Sequence, residues 1–271
     1  MSLESIKSLV LVGAGNMGLA LARGWIEAGL NPQSLVLVDP SPRDEARAFS
    51  QAHGVALHAQ MPQTSPAIIV LAVKPQIAHT VMGGIKALVG PKTLVISVVA
   101  GIVVKALGDA LGTEKIVRTI PNTPAQVNKG ATGAFAGSGV TQEEHLVADA
   151  LLCATGITVW LKDEADIDAV TAVSGSGPAY VFFLVEAMAA AGENEGLSKD
   201  AAMKLARQTV IGAAALMQAD PKDAGILREN VTSPNGTTAA ALDVLMGDDG
   251  LKALMARAMG AARKRSVELG K

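Results

Sequence analysis

An apolar run closing at Val12 gives way to Gly13-Ala14-Gly15-Asn16-Met17-Gly18, and an amphipathic segment opens at Asn16. Glycine at the first, third and sixth places of a strand-to-helix turn constrains the fold tightly. Gly13 permits the tight turn, Gly15 lets the backbone approach a pyrophosphate, and Gly18 lets the helix lie close on the strand. A bare G-x-G-x-x-G also suits a plain turn. Its setting between a strand and a helix, with an acidic strand end following at Asp39, points to a dinucleotide-binding βαβ unit.

The chain has 271 residues, beyond the commonest size of one domain, so two domains are expected. Through residue 162, short β-branched runs alternate with amphipathic segments, the pattern of a parallel sheet covered by helices. Strands are predicted at 8–12, 35–39, 67–73, 93–98 and 115–120, with weaker ones at 131–136 and 157–161. Helical periodicity fills 16–28, 42–53, 76–89, 103–111 and 142–155. Beyond 162 the strand signals stop, and five or six helices are punctuated by Gly192, Gly196, Asp220-Pro221, Pro234 and Gly247-Asp248. The expected fold is α/β, with an N-terminal Rossmann-type dinucleotide-binding domain over 1–162 and an all-helical C-terminal domain over 163–271. Segments 180–191 and 201–217 are apolar on more than one face. A lone helical unit of this size would struggle to cover them, so self-association through these helices, as a dimer or larger, is expected.

Hydrophobic residues make up 49% and charged residues 18%, a balance that permits extensive burial and excludes a mostly disordered chain. A formal net charge of −2 with 3% aromatics supplies neither the basic field nor the stacking platform of a nucleic-acid binder. A small-molecule partner is expected. Cys153 is the single cysteine and no Cys/His cluster has metal-ligand spacing, so no metal is expected and a reducing, cytoplasmic setting fits. His53, His58, His79 and His145 are scattered and take no role. In residues 1–30, Glu4, the internal glycines and the lack of a small-residue cleavage site speak against a signal peptide. From Ala169 to Gly192 the only charge is Glu186, a length that would allow a membrane span. Gly175, Gly177 and Pro178 split it, so a buried helix from near Ser176 and no membrane partner are expected.

Candidate cofactor contacts gather at the carboxyl ends of the predicted strands, where doubly wound sheets bind ligands. They are Val12 with Gly13, Ala14, Gly15, Asn16, Met17 and Gly18; then Asp39, Ser41 and Arg43; then Ala72, Val73, Lys74 and Pro75; then Val98, Val99 and Ala100. Asp39 sits where an acid accepts hydrogen bonds from the adenosine ribose, which on charge grounds favours NADH. Ser41 and Arg43 suit a 2′-phosphate instead, and Arg43 reads equally as a solvated residue in a helix first turn, so NADPH and NADH both stay open. Small or rigid strand ends, including Pro121-Asn122-Thr123-Pro124, leave room for a nicotinamide ring and also match ordinary turn chemistry. Lys74 reads as an exposed or helix-end residue rather than a catalytic one.

Further on, Thr232-Ser233-Pro234-Asn235-Gly236-Thr237-Thr238 runs into the apolar-periodic segment 239–246. The first N–H groups of a helix lack intrahelical partners and lie at the positive end of its dipole, so such a start can seat a carboxylate. Ser and Thr are also ordinary caps, and both readings stand at this point. A second Gly- and Ser-rich turn, Ser174 to Tyr180, reads either as a polar lip or as a plain helix start. The sequence holds no G-x-S-x-G elbow, H-E-x-x-H or P-loop lysine motif, which leaves hydrolase and phosphotransfer chemistry without a site.

Taken together, Gly13 to Gly18, Ala72-Val73-Lys74-Pro75-Gln76, Pro121 to Pro124, Ser174 to Tyr180 and Asn230 to Leu242 resemble the pyrroline-5-carboxylate reductase family. The resemblance spans nearly the whole chain, and its last segment is the most specific. It implies reduction of the cyclic imine pyrroline-5-carboxylate to L-proline by NAD(P)H, the last step of proline biosynthesis. It also implies a Rossmann domain and a helical dimerisation domain that intertwines as a homodimer, often within a homodecamer. By the same resemblance Asn230 reaches the cofactor and Glu164 lies near the substrate.

An iminium already carries positive charge on its own nitrogen, so an enzyme that delivers hydride to it has mainly to position it. Thr238 is the candidate catalytic residue, hydrogen-bonding the ring nitrogen. Ser233 and the backbone N–H groups of Gly236, Thr237 and Thr238 are the candidate carboxylate seat. Asp39 departs from the many family members that lack an acid there, which keeps the cofactor open. A β-hydroxyacid dehydrogenase shares this plan but needs an acid/base lysine where this chain has Tyr180-Val181-Phe182-Phe183. A non-catalytic dinucleotide-sensing protein has no reason for the 233–238 seat.

Overall fold

A computed structural model describes residues 2–270, which divide into two compact units. One runs up to Ser176 and takes in the chain from Arg263 onward; the other is Gly177–Ala262.

The first unit is built on a sheet of β1 (Leu9–Val12), β2 (Leu35–Val38), β3 (Ala56–His58), β4 (Ile68–Leu71), β5 (Leu94–Ser97), β6 (Ile116–Ile120), β7 (Gly130–Ala136) and β8 (Gly156–Trp160). Their order is β3-β2-β1-β4-β5-β6-β7-β8. Every pairing is parallel except β6 with β7. The chain leaves β1 toward one edge and returns at β4 on its other side. That creates a topological switch point between β1 and β4, the place where doubly wound sheets bind dinucleotides.

Successive residues of a strand point to opposite faces, and here both faces are covered, so the central strands are continuous apolar runs. Leu9, Leu11, Leu35, Leu37, Val70 and Ile96 share one core with Trp25 of α1 (Asn16–Glu27), Phe49 of α2 (Asp44–His53) and Leu151 of α5 (Gln142–Cys153). Val10, Val12, Ile69, Leu71 and Val95 share the other with Met82 of α3 (Pro75–Ile85) and Leu107 of α4 (Val104–Leu111). The Trp25 indole N–H donates to the Leu151 carbonyl at 2.9 Å, satisfying a buried polar group while fastening α1 to α5.

All seven predicted strands form, and β3 is an addition. Its three residues are exposed or half-exposed at the sheet edge, so they carry no apolar run. The helix predicted over 76–89 begins at Pro75, where a proline loses no needed hydrogen bond, and gives way after Ile85 to a 3₁₀ turn over Lys86–Leu88. The 163–176 segment packs with the sheet, and the compact units divide after Ser176. α6 (Ile167–Val170) and the π turn Thr171–Gly175 make this contact. A Cβ on Gly133 of β7 would come 2.6 Å from Val170, and the Asn122 amide donates to the Ser174 carbonyl at 3.0 Å.

The second unit holds α7 (Gly177–Asn194), α8 (Lys199–Ala219), α9 (Ala224–Asn230), α10 (Thr237–Leu245) and the beginning of α11 (Leu251–Leu269). Its own core is small: Ala189, Ala202 and Ala206, with Val185 against them. Large apolar side chains stay exposed around it, among them Phe182 at 62%, Phe183 at 68% and Val244 at 77%. The helical path from Glu164 to Asn194 is long and apolar enough to cross a membrane by length and composition, a test that core helices of soluble proteins also pass. Within that path the helix expected from near Ser176 begins at Gly177, the first residue of α7, but it is not the buried helix expected. Only 11% of the apolar stretch is buried, because the small second unit has too little of its own surface to cover it.

Candidate active site

The three glycines of the β1–α1 turn differ in what holds them. Gly13 has φ +99°, donates its N–H to the Val38 carbonyl at 2.8 Å, and a Cβ there would lie 2.6 Å from the Ala72 carbonyl oxygen. A Cβ on Gly18 would collide with the Gly13 carbonyl oxygen. Gly15 is different. Its φ is an ordinary −76°, and the nearest atom to a Cβ would be the Arg43 guanidinium at 3.6 Å. Two glycines are therefore required by the packing of the protein itself, and the third faces space. Gly15 is also the N-cap of α1 and offers no side-chain cap, so the N–H groups opened by Asn16 and Met17 are available to an anion.

Asp39, just past β2, ties this turn in place. Its Oδ2 accepts the Ala14 N–H at 3.0 Å and its Oδ1 accepts the Ser41 N–H at 2.9 Å. Beside it opens a cavity of about 710 Å³ whose walls include Val12, Gly13, Gly15, Asp39, Ser41, Arg43, Ala72, Val73 and Lys74. Nine of the expected cofactor residues thus share one hollow at the switch point. Among the described residues no ion pair engages Arg43 or Lys74. Met61, Ile77, Val81 and Ile85 supply an apolar wall that sequence reasoning missed. Met61 is reached through β3, and Ile77, Val81 and Ile85 lie on a helix face readable only as core-facing. The open Gly15 cradle, the free helix start and the mostly apolar hollow fit a nicotinamide dinucleotide.

Pro75 is the first residue of α3. Val98, Val99 and Ala100 follow β5, outside the lining of that hollow; Val99 is buried, and its N–H meets the Ser97 hydroxyl at 3.3 Å. Glu164 lies at the start of α4. Its Oε1 accepts the Val104 N–H at 2.7 Å and the Arg118 guanidinium at 2.8 Å. Arg118 went unnoticed in the sequence, although a charge inside Ile116-Val117-Arg118-Thr119-Ile120 is a signal in itself.

In the second unit, Asn230 closes α9, and the Thr232 hydroxyl donates to the Arg228 carbonyl at 2.6 Å. Asn235 takes a left-handed φ of +57°, and the Gly236 N–H returns to the Ser233 carbonyl at 3.0 Å. A Cβ on Gly236 would strike the Ser233 hydroxyl oxygen. Gly236 itself is the N-cap of α10, and no side chain caps that helix. The hydroxyls of the loop are therefore not spent on capping α10. The N–H groups of Thr237 and Thr238 begin an uncapped helix with the Ser233 hydroxyl held beside its first turn, a geometry suited to a carboxylate.

Residues 164–269 match the family described as pyrroline-5-carboxylate reductase dimerisation, and residues 8–101 match that of NADP oxidoreductase, coenzyme F420-dependent. The chain is similar to pyrroline-5-carboxylate reductase of Pseudomonas aeruginosa, 39% identical over 98% of this chain and 97% of that protein. It is similar also to that of Pisum sativum, 36% identical over 97% of this chain and 96% of the other. Among solved structures, a pyrroline-5-carboxylate reductase from Coxiella burnetii matches with a TM-score of 0.92 and 35% identity, covering 98% of this chain and all of that one. The Plasmodium falciparum pyrroline carboxylate reductase with NADP bound matches with a TM-score of 0.80 and 30% identity over 99% of both chains. Likeness of this extent, in sequence and in fold, makes the chain a member of the pyrroline-5-carboxylate reductase family.

Proposed function

We propose that this chain reduces L-1-pyrroline-5-carboxylate to L-proline with NAD(P)H, the last step of proline biosynthesis, in the cytoplasm. The observation that carries the reading is the uncapped start of α10, whose loop glycine is packed against the Ser233 hydroxyl.

The turn Gly13 to Gly18 receives the pyrophosphate on the free N–H groups of α1, with Asn16 and Met17 in its first turn. Asp39, Ser41 and Arg43 surround the adenosine ribose, and Val12, Ala72, Val73, Lys74 and Pro75 form the floor across the switch point. Val98, Val99 and Ala100 border the nicotinamide half, and the family resemblance makes Asn230, the last residue of α9, a further cofactor contact. When bound, the reduced nicotinamide supplies the hydride. Ser233 and the N–H groups of Gly236, Thr237 and Thr238 hold the substrate carboxylate, and the Thr238 hydroxyl orients the ring nitrogen. Because the acceptor carbon is activated by its own iminium nitrogen, positioning is the main task.

The exposed apolar helices of the second unit and the match to a dimerisation family support a homodimer formed through them, and the family resemblance supports a homodecamer that contains such dimers. The reading is tested by following NADPH absorbance on adding pyrroline-5-carboxylate, a 2-ketoacid, or a 3-hydroxyacid with NAD in place of NADPH. Oxidation of NADPH confined to the cyclic imine supports it, and turnover only of the hydroxyacid defeats it.

A further inference from the structure

The β5–α4 connection, residues 98–103, leaves the carboxyl edge of the sheet on the far side of the switch point from the adenosine hollow. It therefore borders the nicotinamide half of a bound dinucleotide. Its sequence, Val98-Val99-Ala100-Gly101-Ile102-Val103, contains no side chain that can hydrogen-bond, so the loop cannot anchor itself that way.

Groups distant in sequence anchor it. Val103 is the N-cap of α4 and has no capping side chain; Glu164 Oε1 takes its place by accepting the Val104 N–H at 2.7 Å. The same oxygen is held at 2.8 Å by Arg118, whose side chain is only 6% exposed and whose Nε has no hydrogen-bond partner among the described residues. A buried guanidinium is costly unless paired, and in β6 this one spends its pairing on Glu164. Gly101 takes φ +79°, and a Cβ there would lie 2.9 Å from the Leu269 carbonyl oxygen, in the last turn of α11. One turn earlier, the Ser266 hydroxyl donates to Asp168 Oδ1 at 2.6 Å. Residues 164 to 168 thus hold both the start of α4 and the last turn of α11, with the loop fixed between those two supports.

We infer that Glu164, Arg118 and the Ser266–Leu269 turn are positioning residues that set the β5–α4 loop, and through it the nicotinamide ring. The inference rests on the reductase reading. It gives Glu164 a task other than contact with the substrate, and it places the effect on hydride transfer rather than on binding of the adenosine end.

The test uses Glu164→Gln and Ser266→Ala in the full chain, with pyrroline-5-carboxylate and NADPH deuterated at the transferred position. Small displacements of reacting groups are amplified in rate, so kcat is expected to fall about tenfold in Glu164→Gln and about threefold in Ser266→Ala. The primary isotope effect on kcat should rise in both as hydride transfer becomes more rate-limiting. Affinity for 2′-phospho-ADP-ribose, which lacks the nicotinamide, should stay within about twofold of wild type. A rise confined to the KM for the imine in Glu164→Gln, or a lowered melting point with kcat and isotope effect unchanged in both variants, overturns the inference. If Glu164→Gln does not fold, Ser266→Ala decides alone. Wild type inert toward the imine would defeat the reductase reading instead, so the two failures are distinguishable.

Discussion

Asp39 grips Ala14: its Oδ2 accepts that N–H at 3.0 Å while its Oδ1 accepts the Ser41 N–H at 2.9 Å, so one carboxylate joins the glycine turn after β1 to the loop after β2. An acid at this place is usually read as a ribose contact. Here it also braces the glycine turn proposed to receive the pyrophosphate. The two roles separate experimentally, because ribose recognition distinguishes NADH from NADPH and bracing does not.

Replacing Asp39 with Ser shortens the side chain and removes its charge. Hydrogen bonds to charged acceptors contribute roughly 1.5–3 kcal/mol, part of which water recovers at this half-exposed position, so affinity for both cofactors should fall by about tenfold. Loss of a negative charge beside the 2′ position should raise the ratio of NADPH to NADH catalytic efficiency. Steady-state kinetics with each cofactor reads both effects. An unchanged ratio refutes ribose recognition by Asp39, and undiminished affinity for both cofactors refutes the brace.

Gly15 and Gly18 should respond differently to the same added methyl. In Gly18→Ala the methyl meets the Gly13 carbonyl oxygen, so α1 must move off β1, at a cost of up to about 3 kcal/mol. In Gly15→Ala the nearest atom lies 3.6 Å away and φ is ordinary, so stability should change by no more than about 0.5 kcal/mol. Yet that methyl fills the space proposed for the pyrophosphate. Denaturant unfolding should find Gly15→Ala as stable as wild type, while fluorescence titration finds it unable to bind NADPH.

Residues 9–12, 35–38 and 68–71 were legible as strands because a parallel strand buried on both faces is a continuous apolar run. Ala56-Leu57-His58 was not, being a short edge strand with little burial, and the Met61 wall of the hollow at the switch point was lost with it. The pairing of Arg118 with Glu164 crosses 46 residues and leaves no local trace beyond a charge in an apolar strand. The Ser233 to Thr238 loop was legible as a helix start but not in its capping, since only the left-handed turn at Asn235 makes Gly236 the N-cap and spares the hydroxyls.

Glu144, in the first turn of α5, provides a pH-dependent link to the sheet. Burial alone would raise its carboxyl. The hydrogen bonds from Lys115 and from the Thr141 N–H and hydroxyl outweigh burial and hold it below the ordinary 4.5. A carboxylate with a lowered folded-state pKa contributes stability that is complete above the unfolded value and is lost as pH falls through the folded one. Urea midpoints of wild type and Glu144→Gln should therefore differ at neutral pH and converge as the pH drops below the carboxylate range. A difference that persists undiminished into acid would show that the ionised form is not what matters.

The second unit has a core of three alanines and a valine, while Phe182 and Phe183 are 62% and 68% exposed on α7. Apolar surface of that kind is ordinarily covered by association. Sedimentation velocity at micromolar concentration should find a dimer or a larger assembly. Phe182→Asp with Phe183→Asp should shift the boundary toward the monomer and expose dye-binding apolar surface. A stable wild-type monomer would contradict the assignment of these faces to self-association.

Thr238 is the second residue of α10, half-buried, and its N–H belongs to the uncapped turn beside Ser233. Its backbone survives mutation, so Thr238→Ala separates the hydroxyl from the carboxylate seat. If the hydroxyl orients the ring nitrogen, its loss leaves the substrate bound by its carboxylate but poorly aligned, and misalignment acts mainly on kcat. Turnover should fall by about ten- to hundredfold, with a smaller rise in KM for the imine and cofactor affinity nearly unchanged. Ser233→Ala should show the complementary pattern, a raised KM with a smaller effect on kcat, because it removes a contact made equally in ground and transition states. Thr238→Ser, which keeps the hydroxyl, should recover most of the turnover. Unchanged kinetics in Thr238→Ala would remove the hydroxyl from the mechanism and leave only the N–H groups of α10 to hold the substrate.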